Sequence, residues 1–277
     1  MLLGIAGGLA IGLLMGLLGG GGAILAIPLF VYGLRMEHTQ AVVASLAVVA
    51  VGAVVGGATH LRQGHVLVPR GVAFGVLGIV GSVAATSVAH RVSGAHFMLY
   101  FAALLVLVAV LMLRGVWSSR QGFTDATPRT TTTTSGAGAV ATAVGSQAYS
   151  YRSTWIPDRP VLFASAAVAV GFLTGFFGVG GGFLIVPALT MALALPMQKA
   201  VGTSLLVIFI NTVVALVLRG DQILLVDIPT VAPVMAMVIV GVLSGAAFSS
   251  KVPARALRAA FGVFLISIAA YVALVEA

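Results

Sequence analysis

The first 34 residues, Met1 to Leu34, contain no charged side chain, and four consecutive glycines, Gly19, Gly20, Gly21 and Gly22, sit in their middle. As one α-helix at about 1.5 Å per residue, the run would be roughly 50 Å long, against roughly 30 Å of hydrocarbon in a bilayer. It is too long for a single crossing, and the glycines are the place to break it. The remainder, Ala23 to Leu34, is too short to cross comfortably, so the segment reads as a helix that turns at the glycines and comes back. Whether such a pair is re-entrant or crosses fully is left open at this stage.

The same punctuation returns 159 residues later. Gly12, Gly16, Gly19, Gly21, Gly22 and Pro28 align with Gly171, Gly175, Gly178, Gly180, Gly181 and Pro187. Farther on, Ala41-Val42-Val43-Ala44-Ser45-Leu46 falls on Ala200-Val201-Gly202-Thr203-Ser204-Leu205, and with one residue of slippage Ile79-Val80-Gly81 falls on Ile239-Val240-Gly241. Apolar sequences match by chance, but aligned glycines and prolines have backbone reasons for their places. The chain therefore reads as two membrane repeats, 1–113 and 161–277, joined by a polar linker over 114–160. That linker carries Thr130 to Thr134, five arginines and two aspartates.

Composition supports a bilayer setting. With 60% hydrophobic and 7% charged residues, a core of this size cannot hide the apolar surface from water. Further uncharged runs, Ala41 to Ala58, Gly71 to Ala89, Phe97 to Leu113, Val161 to Leu195, Ala200 to Leu218, Ile228 to Ser250 and Ala259 to Leu274, each hold at least one helix. The net charge of +8 does not point to nucleic acid, because the basic residues lie in short connections between apolar runs. The apolar start lacks the basic region of a signal peptide and its glycine motif recurs, so it is read as mature structure. There is no cysteine, which removes disulfides, thiolate metal sites and cysteine nucleophiles.

Charge placement selects between topologies. If each opening pair returns to its starting side and three full crossings follow, Arg62, Arg70, Arg114, Arg120, Arg129, Arg152, Arg159, Lys199, Lys251, Arg255 and Arg258 share one face, and Arg35, Arg91 and Arg219 the other. A single opening crossing would split the same fourteen eight to six. The positive-inside rule favours eleven against three. The expected fold is an all-α polytopic bundle of two inverted repeats in the cytoplasmic membrane, with both termini outside and the linker in the cytoplasm.

The chemistry-bearing candidates are few. The breaks Gly19, Gly20, Gly21, Gly22 and Gly178, Gly180, Gly181, Gly182 place non-helical backbone in the membrane. Each precedes a half-helix whose positive end can face an anion, and a β-branched residue at Gly21 or Gly180 is expected to block that approach. Ser45, Thr203, Ser204 and Asn211 are hydroxyls and an amide within apolar helices, with Ser45 and Ser204 at equivalent repeat positions. Against these readings, small residues also serve helix packing, and a lone membrane hydroxyl commonly bonds its own preceding turn. His60 and Arg219 are repeat equivalents at helix ends and are candidates for opposite vestibules. His90 and His96 read as interfacial, without metal spacing, and Asp221 and Asp227 lie in a loop.

No apolar helix core holds a carboxylate, which disfavours a cation carrier. Neither a nucleophile with a base nor a metal-binding H-E-x-x-H motif is present, which disfavours an intramembrane enzyme. The expected activity is secondary transport of a small anion without metal or cofactor. A passive anion channel, or a membrane protein whose glycines only pack helices, is the alternative. The expected partners are the anion and the lipid bilayer, not nucleic acid, with homo-oligomerisation left open.

At its glycine-proline cassettes the chain resembles the sulfite exporter TauE/SafE family. The second cassette, Gly171-Phe-Leu-Thr-Gly175-Phe-Phe-Gly178-Val-Gly-Gly-Gly182 through Pro187, followed by Ala200-Val-Gly-Thr-Ser204, is the most similar part, and the resemblance extends over both halves but not the linker. It implies a carrier, often an exporter, of sulfite, sulfonates or related sulfur-containing anions.

Overall fold

In the computed structural model the chain is a bundle of α-helices. The structure describes residues 2–89, 103–113, 160–177, 182–191, 193, 195–223, 226–249 and 251–276. The whole of 114–159, and with it nearly all of the expected linker, lies outside the described residues.

Helix α1, Leu2–Leu18, ends where Gly19 takes φ 76° and ψ −117°, a left-handed backbone that favours glycine. The Gly19 N–H still donates to the Met15 carbonyl at 2.9 Å. After this turn come one 3₁₀ turn at Gly20–Gly22, the short α2 at Ala23–Pro28, and a π-helical turn at Leu29–Gly33. Pro28 brings no N–H, and the ladder widens directly after it. The chain returns along α1: Gly22 lies against Met15, Gly7 against Leu29, and Gly4 against Leu34. Numbers fall on one arm as they rise on the other, so the opening segment is a helical hairpin.

The second half repeats the order with α6, Pro160–Phe177, and α7, Gly182–Met191, which contains Pro187. The helices that follow in the first half are α3, His38–Arg62, α4, Val68–Ala89, and α5, Ala103–Leu113. Those of the second are α8, Met197–Val217, α10, Ile228–Ser249, and α11, Ala254–Glu276, with the single turn α9, Gly220–Ile223, after α8. Among the described residues four helices are long and apolar enough to cross a membrane: Thr39–Arg62, Val68–Ala85, Met197–Val217 and Ile228–Ser249.

The halves exchange partners. Helix α1 packs chiefly on α10, α4 on α6, and α3 on α8 between them. A Cβ on Gly241 would run into the Leu9 carbonyl and lie 2.8 Å from the Leu13 nitrogen. One on Gly81 would run into the Val168 carbonyl and lie 2.8 Å from the Phe172 nitrogen. Leu9 and Leu13 are the 159-residue counterparts of Val168 and Phe172, so the two interfaces use the same register. Small residues allow this backbone-to-backbone approach, which substitutes for the hydrophobic drive that lipid removes. Helices α1 and α10 run alongside each other, Gly8 against Val234 and Gly16 against Val242. Helices α3 and α8 run oppositely, with Gly56 beside Leu205 and His60 beside Gly202.

The sequestered core includes Met15, Phe30, Phe183, Leu205, Val238 and Val242, while Val76, Val80, Val83, Leu243, Phe248 and Val263 face outward. Such outward apolar side chains suit lipid contact, and the chain is a multi-pass membrane protein.

Candidate functional site

Between the start of α3 and the end of α8 lies a cavity of about 190 Å³. Taking roughly 30 Å³ as the share of one water in the liquid, it has room for a small hydrated anion. Its polar lining comes from Ser45, Ser82, Thr174, Asn211, Thr212 and, at the end of α8, Arg219. Ala23, just past the first glycine break, and Gly175, just before the second, also line it. Helix order explains the convergence. The antiparallel α3 and α8 bring residue 45 of one beside residues 211–219 of the other, and the α4–α6 contact delivers Ser82 and Thr174 from the side.

The hydroxyls are held by their own helices. Ser45 Oγ donates to Val42 O at 2.7 Å, Thr174 Oγ1 to Gly171 O at 2.9 Å and Thr212 Oγ1 to Ile208 O at 2.6 Å. Each is oriented by a back-bond and can swing its proton to a ligand only by giving that bond up. Asn211 differs, because its Oδ1 is buried without a hydrogen-bond partner. An unpaired amide oxygen in a buried place is costly, and an amide carries two N–H donors that an anion could use. Arg219 is exposed. Among the described residues no carboxylate lines the cavity, and no cluster of His, Cys, Asp or Glu fit for a metal ion is present. This lining offers donors and one cation to whatever enters.

A model of the family described as sulfite exporter TauE/SafE matches residues 4–272. The chain belongs to that family. A probable membrane transporter protein of Xylella fastidiosa (strain Temecula1) is 33% identical over 204 residues, covering 73% of this chain and 67% of the relative. The probable membrane transporter protein YdhB of Bacillus subtilis is 25% identical over 259 residues, covering 90% and 91% of the two chains. No solved structure matches. The chain is thus a membrane transporter of the TauE/SafE family.

The residues singled out by sequence fall into three groups in this TauE/SafE chain. Ser45, Asn211 and Arg219 meet in the cavity. The glycine breaks meet each other instead: a Cβ on Gly20 would overlap the Gly182 carbonyl, and one on Gly182 would lie 2.7 Å from the Gly20 oxygen. No volume separates them there, and the open space lies to one side. Gly21, by contrast, has only ordinary neighbours, a Cβ there lying 3.4 Å from Phe264, so the steric demand falls on Gly20. Gly22 packs its backbone on α1, against Met15.

The third group lies packed away from the cavity in this structure. Ser204 repeats the Ser45 back-bond, Oγ to Val201 O at 2.7 Å, but is fully buried against Gly19 outside the cavity. Thr203 Oγ1 accepts the Leu67 N–H at 3.1 Å and so caps the start of α4. His60 is not at a vestibule surface but fully buried, with Nε2 donating to the Gly16 carbonyl at 3.2 Å. Gly178, Gly180 and Gly181 lie outside the described residues, as do His90 and His96. Sequence reasoning passed over Ser82, Thr174 and Thr212, although each is a hydroxyl in an apolar run. Nothing in the linear order says which hydroxyls share a space.

Proposed function

We propose that this chain is a secondary carrier that exports a small oxyanion of the sulfite or organosulfonate class, without catalysis, and that the cavity beside Asn211 is where the anion binds. The observation that carries the reading is a cavity between the helices lined by hydroxyls and an unpaired amide, with Arg219 at its end and no carboxylate among the described residues. A desolvated anion needs several donors to replace its hydration, and neutral donors release it more readily than a buried ion pair would. The family description, sulfite exporter, supports the substrate class and direction. An inside-negative potential also favours outward movement of an anion, by about 2.3 kcal/mol per charge at 100 mV.

In this reading the two halves are inverted repeats in the cytoplasmic membrane. Both termini and Arg219 face outside, and 114–160 is cytoplasmic, a reading supported by the eleven-to-three distribution of Lys and Arg that it produces. The test is flux into proteoliposomes for sulfite, isethionate, sulfate and acetate. Saturable counterflow of sulfite or isethionate, and weak flux of acetate, is expected. Flux of all four at rates linear in concentration would make the protein a passive channel and overturn the carrier reading.

A further inference from the structure

The cavity has a counterpart. Shifting its lining by 159 residues turns Ser45 into Ser204, Thr174 into Met15, Gly175 into Gly16, Asn211 into Gly52, Thr212 into Ala53 and Arg219 into His60. These residues also converge in space, at the opposite end of the antiparallel α3–α8 pair, where His60 lies beside Gly202. There the volume is filled. The Met15 sulfur and methyl would sit 3.1 Å from a Cβ on Gly52, and Leu205 and Val242 would sit 3.0 Å from one on Gly56. Met15, Leu205, Val242 and His60 are all fully buried.

His60 closes this end by reaching across to the Gly16 carbonyl. Its Nδ1 is buried with no partner, and the neighbouring His65 Nδ1 and Gln63 Oε1 are likewise unpaired. Gln63 is itself the counterpart of Gln222, whose Oε1 is also unpaired beyond Arg219. Three unsatisfied polar atoms at a sealed, otherwise apolar seam are costly for a permanent packing contact, and they have a use if the seam opens to a polar ligand.

We infer that Met15, Gly16, Gly52, Ala53, His60 and Ser204 line a second anion pathway, closed in this structure, which opens as the Arg219 cavity closes. Each repeat then adopts the arrangement the other shows here, so one structure contains both ends of the cycle. Opening requires the flexible Met15 side chain to withdraw and His60 to leave Gly16, after which the His60 ring faces the entering anion as Arg219 faces the cavity here. The glycines at 52 and 56 matter because they give Met15, Leu205 and Val242 room to fill the closed state. The inference rests on the carrier reading above, but its test separates from it.

The natural absence of cysteine allows single-cysteine labelling with an impermeant maleimide in membrane vesicles of both orientations. Ser45→Cys is expected to react from the Arg219 face, and Ala53→Cys and Ser204→Cys from the opposite face at least about tenfold faster than from the Arg219 face. Adding His60→Arg, too large and too charged for its buried seat, should raise labelling of Ala53→Cys and lower that of Ser45→Cys. If Ala53→Cys and Ser204→Cys stay unreactive from the opposite face in vesicles that exchange isethionate, or react only from the Arg219 face, the second pathway does not exist. Protection of Ser45→Cys by isethionate reads the anion site alone; its loss would sink the substrate assignment while the two other cysteines still decide the pathway.

Discussion

Asn211→Asp changes the charge of the cavity with almost no change in its shape. A sphere of 190 Å³ has a radius of about 3.6 Å, so an anion near its centre lies roughly 4 to 5 Å from the Asn211 side chain. At an effective dielectric constant of about 20, a carboxylate at that distance opposes a monoanion by about 3 to 4 kcal/mol. That corresponds to a few hundredfold in apparent affinity. Part of the penalty is avoided if the new carboxyl takes up a proton, so the defect should shrink as the pH is lowered through the range where a partly desolvated aspartate titrates. The assay is the concentration dependence of isethionate counterflow in proteoliposomes, measured at two pH values beside an Asn211→Leu control. The control removes the amide without adding charge and is expected to lose only about 1 to 3 kcal/mol. If Asn211→Asp shows the same half-saturation as the unsubstituted protein at neutral pH, or no greater loss than Asn211→Leu, the anion does not bind beside this residue.

Gly20→Ala drives a methyl into the Gly182 carbonyl and should sharply reduce the folded yield in membranes, whereas Gly21→Ala, with its nearest neighbour at 3.4 Å, should extract and transport near normally. Thr203→Val removes the acceptor of the Leu67 N–H and should lower stability in detergent by about 1 to 3 kcal/mol while leaving the half-saturation for isethionate unchanged; a pure affinity defect would return Thr203 to the binding site. A cysteine in place of Ser135 should resist an impermeant reagent added to intact cells and react after permeabilisation, and labelling of intact cells would overturn the topology drawn from the basic residues. Deleting part of 130–145 should leave transport largely intact, because a tether tolerates shortening while it still spans its anchors; lost flux with normal insertion would give the segment a further role.

What the sequence determines by itself here is whatever depends on local chemistry and on counting. The uncharged run of 34 residues with glycines in its middle had to turn back, since neither water nor a 30 Å slab accommodates it unbroken, and α1 with its return arm does so at Gly19. The 159-residue repeat was legible because glycine and proline hold their places for backbone reasons, and the paired interfaces at Gly81 and Gly241 use the same register. The class of protein followed from apolar area alone. The tertiary structure decided which candidates meet. Ser45 and Ser204 occupy equivalent repeat positions and make the same back-bond, yet one lines an open cavity and the other is sealed. His60 and Arg219 are likewise equivalent in the repeat and opposite in exposure. The physical reason is that a repeat constrains each half's own helices but not which of two equivalent seams is packed shut. That choice depends on how side chains from both halves fill a shared volume, as Met15, Leu205 and Val242 do at one end, while the described residues leave the other open.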